Sequence, residues 1–146
     1  MSKTRFWIGV AAKEHVDIAV RERFCMFAHG KGSAAKQLSQ GDWFAYYSPK
    51  TGMKSGKEVR AFTALGCVDD DTLTERPMGE HGVGIMRSAT YHATGHADIY
   101  SLLDAFSFVK KRSHWGMYFR KSLFEIPQDD MLLIARAMGI DPAKVV

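Results

Sequence analysis

Strand-like segments rich in aromatic and β-branched residues recur along this chain, and the stretches between them are too short for long crossover helices. Five segments are predicted as strands: 6–12, 42–48, 59–68, 84–92 and 117–126. Short helices are predicted over 15–22, 34–38 and 99–108, a longer one over 128–138, and loops over 50–57 and 72–80. Because strands and helices do not alternate regularly, a βαβ fold is disfavoured. We expect an α+β fold, a mixed five- to six-stranded β-barrel with short helices packed around it.

The composition is that of a globular protein. The 146 residues are 46% hydrophobic, and a chain of this length is expected to form one domain over residues 1–146. Two cysteines, Cys25 and Cys67, are too few for a disulfide scaffold and lie among apolar residues, as reduced thiols do. No apolar stretch reaches the length of a membrane span, and no signal-peptide pattern opens the chain. We therefore expect no membrane association and a cytoplasmic location.

Three groups of residues have spacings that invite comparison with metal or nucleophile sites. His92 and His96 lie four apart, as ligands on one helical face do, but the glutamate of the zincin motif and a third ligand are missing. The three aspartates at 69–71 converge poorly in an extended chain and favour a solvated turn. Cys25 lies near His29 without a third orienting group, which favours a buried thiol over a nucleophile. The sequence therefore predicts no metal ion, no cofactor and no catalytic residue.

Glycines alternate with polar residues just before the helix predicted over 34–38. In the segment His29-Gly30-Lys31-Gly32-Ser33, with Ser33 as the helix cap, backbone N–H groups could receive a phosphate or a carboxylate. The spacing of a Walker motif is absent, so this is not the P-loop of a nucleotide hydrolase. A polar ligand at this point and an ordinary turn remain equal interpretations.

Aromatic residues near the predicted strand ends are interleaved with basic ones. The rings are Trp7, Trp43, Tyr46, Tyr47, Trp115, Tyr118 and Phe119, and the basic residues include Lys31, Lys50, Arg120 and the group 110–112. Rings that stack on bases, beside cations that bind phosphates, are typical of nucleic-acid binding. A core of packed rings under a solvated basic surface would give the same pattern. The net charge of +4 does not separate the two interpretations.

A set of short motifs follows a fixed order from one end of the chain to the other. They are Trp7-Ile8-Gly9-Val10, His29-Gly30-Lys31, Tyr46-Tyr47-Ser48-Pro49-Lys50, 61–68, 103–108, His114-Trp115-Gly116, Phe119-Arg120 and 123–126. Each motif is weak alone, but in this order they resemble the EVE domain, a PUA-like domain related to the YTH and ASCH domains. The Tyr-Tyr-Ser-Pro-Lys motif is most similar to the small bacterial branch of that family.

The resemblance implies a PUA-like barrel with an aromatic pocket that accepts a flipped, modified nucleobase from DNA or RNA. It implies no reaction, and any effector would be a separate partner protein. The residues that match the family's pocket are Trp7; Phe27, His29, Gly30 and Lys31; Tyr47, Ser48, Pro49 and Lys50; and Trp115, Gly116, Phe119 and Arg120. We accordingly expect Trp7, His29, Tyr47 and Trp115 to bound one pocket. Some family members have Trp-Asp-Gly where this chain has residues 27–31, so the base edge that is read stays open.

Other functions remain open beside the reader. A barrel pocket also suits a small molecule, such as a free nucleoside or a carboxylate metabolite. An enzyme acting on nucleic acid would need His29 or His114 as its acid–base group, and no nucleophile or metal set accompanies them in the sequence. A protein-interaction module is the fourth possibility.

Overall fold

The computed structural model describes residues 4–52 and 56–145, which fold around a mixed sheet of seven strands. The strands are β1 (Phe6–Val10), β2 (Phe24–Cys25), β3 (Trp43–Lys50), β4 (Glu58–Val68), β5 (Thr74–Pro77), β6 (Val83–Asp98) and β7 (Leu123–Ile126). The helices are α1 (Lys13–Glu22), α2 (Gly32–Ala35) and α3 (Gln128–Ala137), and 3-10 turns cover Ala28–Gly30, Gly79–His81, Ile99–Ser101, Arg112–Arg120 and Pro142–Lys144. The predicted mixed sheet with short helices around it is confirmed, with seven strands instead of five or six. No helix of the described residues has the length and apolar character needed to span a membrane.

The sheet is curled and open at both ends. Its strand order is β2-β6-β4-β3-β1-β7, and β5 pairs with β6 beside this path. β1 runs parallel to β3, with Trp7 opposite Phe44, and the other pairings are antiparallel. Within the described ranges the two end strands, β2 and β7, do not pair with each other, so the sheet forms a half-barrel.

Both faces of the sheet are covered, because side chains alternate along each strand. In β3, Tyr47 contributes to a first core on one face, and Tyr46 contributes to a second core on the other. The first core also contains buried residues of α3 and of the chain after β6: Leu103, Phe106, Phe119, Met131, Ile134 and Ala135. The second core also contains buried residues of α1, β2 and the segment after it: Val16, Ala19, Phe24, Phe27 and Ala34. The strands are apolar on both faces because each face supports a core.

Three elements correct the sequence prediction. Residues 72–80, predicted as a loop, contain β5, because Thr74–Pro77 pair with the first residues of β6 despite their polar composition. The helix predicted over 99–108 is only the 3-10 turn Ile99–Ser101 followed by irregular chain. The strand predicted over 117–126 shrinks to β7, because the aromatic residues before it belong to the 3-10 turns of Arg112–Arg120. Aromatic residues that pack into a core from 3-10 turns give the same local composition as a strand, so the sequence alone does not separate the two.

A buried arginine fixes the chain that follows α2. Arg87 of β6 is 2% exposed and donates hydrogen bonds to the backbone carbonyls of Ala35 and Leu38. Its other terminal nitrogen reaches the carbonyl of Asp70 and the carboxylate of Asp71. The aspartate turn at 69–71 is solvent-exposed, as the sequence predicts, and is also tied to the fold through Arg87. Asp69 accepts hydrogen bonds from Ser88 and Thr90 of β6.

Candidate functional site

An open cavity of about 460 Å³ lies on the first-core side of the sheet, at the ends of β3 and β6 and the start of β4. Its lining residues, which define the aromatic cavity, are Tyr47, Pro49, Arg60, Tyr100, Ser113, Trp115, Gly116 and Phe119. Four chain segments contribute to it: β3, β4, the turn Ile99–Ser101 and the turns of Arg112–Arg120. The size falls within the range of pockets that hold small ligands.

Trp115 is the central ring of the aromatic cavity. Its ring centroid lies 5.6 Å from that of Tyr100 at an interplanar angle of 81°, and 6.3 Å from that of Tyr47 at 82°. These are edge-to-face contacts, the arrangement that aromatic pairs prefer. Trp115 is half-buried, and Tyr100 is 42% exposed. Ring surface therefore remains accessible to a ligand.

The turns that carry Trp115 are attached to the fold at several points. Phe119 is buried, with its ring centroid 4.4 Å from that of Tyr47. Arg112 forms a 2.9 Å ion pair with Asp104, and the hydroxyl of Tyr118 accepts a hydrogen bond from the backbone N–H of Lys110. This wall of the cavity is thus positioned by core packing as well as by surface contacts.

Arg60 has an unusual backbone conformation for a strand residue. Its φ is 48°, in the left-handed region, and it lies in β4 at an irregularity of the β3–β4 ladder. Ser48 pairs with Ala61 and Lys50 pairs with Glu58, so two residues of β4 oppose the single Pro49. Such a β-bulge redirects a side chain, and bulges are common beside functional sites. Here the redirected side chain lines the aromatic cavity.

The polar groups of the cavity are organised around the Arg60 guanidinium. Its Nη1 donates a 2.7 Å hydrogen bond to the hydroxyl of Tyr100, and its Nη2 lies 2.9 Å from the Glu58 carboxylate. The hydrogen bond to Tyr100 raises the pKa of Arg60 further. Burial raises the pKa of Tyr47, against the opposing effect of the nearby Arg60 charge. Among the described lining residues Arg60 is therefore the one cation, and the Tyr47 hydroxyl stays protonated at neutral pH.

Five of the residues predicted from the sequence line the aromatic cavity. They are Tyr47, Pro49, Trp115, Gly116 and Phe119. Lys50 is exposed at the end of β3, and Arg120 is exposed at the end of the 3-10 turns, so both are chain neighbours of the lining residues. Ser48 lies next to them but is buried, and its hydroxyl bonds to that of Thr63 at 2.8 Å.

The expectation that Trp7 shares a pocket with Tyr47 and Trp115 is wrong. Trp7 belongs to the second core and is 2% exposed, because strand alternation turns it to the face opposite Tyr47. Its indole N–H donates to buried Asp42 at 3.1 Å, and the Arg5 guanidinium lies 4.5 Å from its ring centroid. Trp7 is placed as a structural residue of the fold.

The segment around His29 also lies on the second-core side. Phe27 packs against Tyr46 and over Gly9, where a Cβ would come within 2.4 Å of its ring. Ala28, His29 and Gly30 have successive positive φ values of 51°, 56° and 83°, with Gly30 buried, while His29 and Lys31 are exposed. α2 begins at Gly32 with no side-chain cap, so the expected cap by Ser33 is wrong. A helix of four residues offers no dipole-bearing N-terminus for an anion.

Three lining residues were not anticipated from the sequence: Arg60, Tyr100 and Ser113. Arg60 reaches the cavity only because the bulge opposite Pro49 breaks the strand alternation. A proline within a strand pattern is the signal that would have suggested such an irregularity. Tyr100 and Ser113 lie in turns that were predicted as helix or were left without assignment.

The alternative sites considered from the sequence have ordinary surroundings. His92 and His96 lie in the extended β6, about 13 Å apart along the strand, and not on one helical face. His92 stacks on Trp43 with ring centroids 4.7 Å apart. Burial raises the pKa of Cys25, which makes its thiol unreactive. In residues 4–52 and 56–145, no group of three or more His, Cys, Asp and Glu side chains is placed to hold a metal ion.

Solved structures with the same fold include RNA-binding domains. The YTH domain of the Zygosaccharomyces rouxii MRB1 protein, in complex with N6-methyladenosine RNA, has a TM-score of 0.59 at 13% identity, covering 97% of this chain and 88% of its own. The Pho92 YTH domain in complex with m6A has a TM-score of 0.56 at 13% identity, covering 94% of this chain and 85% of its own. At this identity the likeness concerns the fold alone. The curled mixed sheet with its helices has the PUA-like fold.

Sequence relatives give the family. The model of the EVE domain matches residues 5–137. The UPF0310 protein YdcG of Bacillus subtilis is 33% identical over 138 residues, which cover 94% of each chain. The UPF0310 protein msl3206 of Mesorhizobium japonicum is 35% identical over 136 residues, which cover 92% of this chain and 91% of the relative. The chain belongs to the EVE domain family, as the resemblance of its motifs indicates.

Proposed function

We propose that this protein is a non-enzymatic reader that binds a flipped, modified nucleobase of DNA or RNA in the aromatic cavity. The supporting observation is that Trp115, Tyr100 and Tyr47 surround an open cavity that also contains the Arg60 cation. Two structures of the same fold hold N6-methyladenosine RNA or m6A, which supports a modified base as the ligand class. Any downstream effector would be a separate partner protein.

Ring stacking supplies the binding energy in this proposal. A base stacked on an aromatic face contributes about 1–3 kcal/mol, and Trp115 and Tyr100 keep ring surface accessible. Extracting the base from a duplex costs a few kcal/mol, and least from a single strand. We therefore expect single-stranded nucleic acid to bind more tightly than a duplex of the same sequence.

Basic residues next to the lining residues would hold the phosphates. Lys110 and Lys111 are exposed and precede the 3-10 turns that carry Trp115. Lys50 and Lys57 are exposed on the β3–β4 side, beside Pro49 and Glu58. Binding of phosphates by such cations releases counterions, so affinity should fall as the salt concentration rises.

Selection for a modification is expected to be modest. A buried methyl group contributes about 1 kcal/mol, or roughly a fivefold change in affinity. Larger discrimination requires polar groups that a wrong base would leave unpaired. The modification would therefore adjust an affinity that is set mainly by stacking and phosphate contacts.

The size of the cavity also suits a second candidate function, the binding of a free small molecule. A volume of about 460 Å³ lies within the range of small-ligand pockets, so a nucleoside or a carboxylate metabolite would fit. This function predicts thermal stabilisation by the free compound. It also predicts that an oligonucleotide gains no affinity over the corresponding nucleoside and shows no salt dependence.

A fluorescence-anisotropy titration tests the proposal. Labelled single strands that differ only in one methylated base are titrated at several salt concentrations, with wild type and with Trp115→Ala. We expect salt-dependent binding, a modest preference for the methylated strand, and a loss of about 5- to 150-fold with the variant. Arg136→Ala, an exposed change on α3, is the control and should bind as wild type does. Equal affinity of all strands at every salt concentration would contradict a modified-base reader.

A further inference from the structure

The described residues that line the aromatic cavity have one-sided charge. Arg60 is their single cation, and they include no carboxylate. Glu58 forms an ion pair with Arg60, but it is not one of the residues that line the cavity. A polar ligand group that enters the cavity therefore meets N–H donors of the guanidinium, while the Glu58 carboxylate that balances its charge lies outside the lining.

Several donors remain for a ligand. A guanidinium has five N–H groups in a planar fork, and within the described residues the contacts to Tyr100 and Glu58 occupy its two terminal nitrogens once each. The hydroxyl of Tyr100 accepts from Arg60, so its own proton can be donated elsewhere. Tyr47 keeps its proton because burial disfavours the phenolate. A tyrosine hydroxyl can also accept, but the guanidinium can only donate, so Arg60 is the group that favours a ligand edge made of acceptors.

The backbone holds Arg60 in this position at an energetic cost. A non-glycine residue in the left-handed region is strained, and strain of this kind concentrates where a side chain must be placed for function. The bulge opposite Pro49 gives the side chain its direction, and the hydrogen bond to Tyr100 fixes its far end. Its orientation is thus set before a ligand arrives.

We propose that Arg60 selects the class of base: a keto base, whose carbonyl oxygen can accept from the guanidinium, is preferred to its amino counterpart. Guanine presents two adjacent acceptors, O6 and N7, where adenine presents N7 beside an N6 amino group, and uracil or thymine offers O4 where cytosine has an N4 amino group. An amino group that faces the guanidinium would set donor against donor, so that neither group is paired while the base is bound. This selection rests on the proposed function, since it names the base that the reader accepts.

Matched keto and amino bases give the test. Six-nucleotide strands carry a single base in an otherwise abasic backbone, so guanine is compared with adenine, and uracil with cytosine. Dissociation constants are measured for wild type, Arg60→Met and Arg60→Lys. We expect wild type to prefer each keto base by about tenfold, consistent with the value of a bidentate arginine contact. Arg60→Met should bring both ratios to within about twofold, and Arg60→Lys should retain the charge-dependent affinity but lose most of the preference.

Controls separate this selection from the reader function itself. Arg21→Met removes another surface arginine that is paired with a glutamate, on α1 across the sheet, and should leave both ratios unchanged. Equal affinities, a preference for the amino bases, or a keto preference that survives Arg60→Met would overturn the selection while leaving the reader intact. Binding that Trp115→Ala does not weaken, or no binding of any strand, would overturn the reader and this selection together.

Discussion

Arg60 donates a 2.7 Å hydrogen bond to the hydroxyl of Tyr100, and this contact joins two walls of the aromatic cavity that are 40 residues apart in sequence. One wall is the bulged start of β4, and the other is the 3-10 turn after β6. The contact fixes the only cation among the described lining residues against an aromatic ring of the same cavity. The direction of the guanidinium therefore depends on a residue that also provides ring surface.

Replacing Tyr100 with phenylalanine separates these two contributions. Tyr100→Phe keeps the ring beside Trp115 but removes the acceptor for Arg60. We expect the preference for keto bases to fall severalfold while the affinity for a single strand changes little. The free energy of unfolding should fall by less than about 1 kcal/mol, because the contact is exposed. Binding titrations and urea denaturation measure the two effects, and an unchanged keto preference would show that Tyr100 does not orient Arg60.

The strain at Arg60 predicts that a variant can lose selectivity without losing stability. Glycine adopts the left-handed region freely, whereas other residues pay about 1–2 kcal/mol there. Arg60→Gly should therefore unfold in urea at a concentration equal to or above that of wild type, with its keto preference lost. Val59→Gly is the control, since the neighbouring half-buried valine has no positive φ and its loss should cost at least about 1 kcal/mol. Equal destabilisation by both variants would refute the account of strain.

Trp7 and Trp115 are expected to respond differently to substitution. Trp7→Phe removes the buried hydrogen bond to Asp42 and should lower the free energy of unfolding by about 1–3 kcal/mol. Below its melting transition, this variant should bind single strands as wild type does. Trp115→Ala should show the reverse, a large loss of affinity with a smaller loss of stability, because Trp115 is only half-buried. Denaturation and fluorescence anisotropy are measured on both variants. A large loss of affinity in Trp7→Phe would contradict this assignment.

His15 predicts an acid-sensitive step in stability. It packs edge-on against Phe24 and Tyr46, and burial lowers its pKa from 6.5, with smaller contributions in the same direction from His29 and Arg76 and an opposing one from the Met26 backbone.

Since the unfolded chain binds this proton more readily than the folded one, the contribution of His15 is complete above about pH 6.5 and is lost as the pH falls below that value. His15→Gln should therefore show a shallower decline in the free energy of unfolding between about pH 7.5 and pH 5, a range that spans the ordinary histidine pKa of 6.5. Urea denaturation at each pH gives the comparison. Parallel curves for the two proteins would exclude His15 as the source of the decline.

The sequence predicts the central strands and the last helix well, because their patterns are dictated by burial. The strands predicted over 42–48 and 59–68 are found as Trp43–Lys50 and Glu58–Val68, and the helix predicted over 128–138 as Gln128–Ala137. The apolar residues of both strands serve two cores, and those of the helix serve one. The pattern of apolar residues within each of these elements is therefore enough to predict it.

The candidate site is predicted less completely, because it is assembled from irregular chain. Trp115 and Tyr47 line the same cavity, as the motifs suggest. Trp7 lies on the other face of the sheet, and this depends on the register of β1 against β3. Arg60 enters the cavity through a bulge, and Tyr100 through a short 3-10 turn. Neither position follows from spacing, and Pro49 indicates only that the strand is irregular there, not which side chain the irregularity redirects. The positions of turns and bulges depend on tertiary packing, so they are hard to predict from the local sequence.

The claim that a nucleobase enters the aromatic cavity is tested most directly by chemical-shift mapping. ¹⁵N-labelled protein is titrated at low salt with a six-nucleotide strand that carries one guanine in an otherwise abasic backbone. The account predicts saturable shifts of the Trp115 indole N–H and of the Ser113 and Gly116 amides, with the buried Trp7 indole N–H unmoved. Shifts confined to the second-core side, around Trp7 and residues 28–33, or no saturable shift at Trp115, would contradict it.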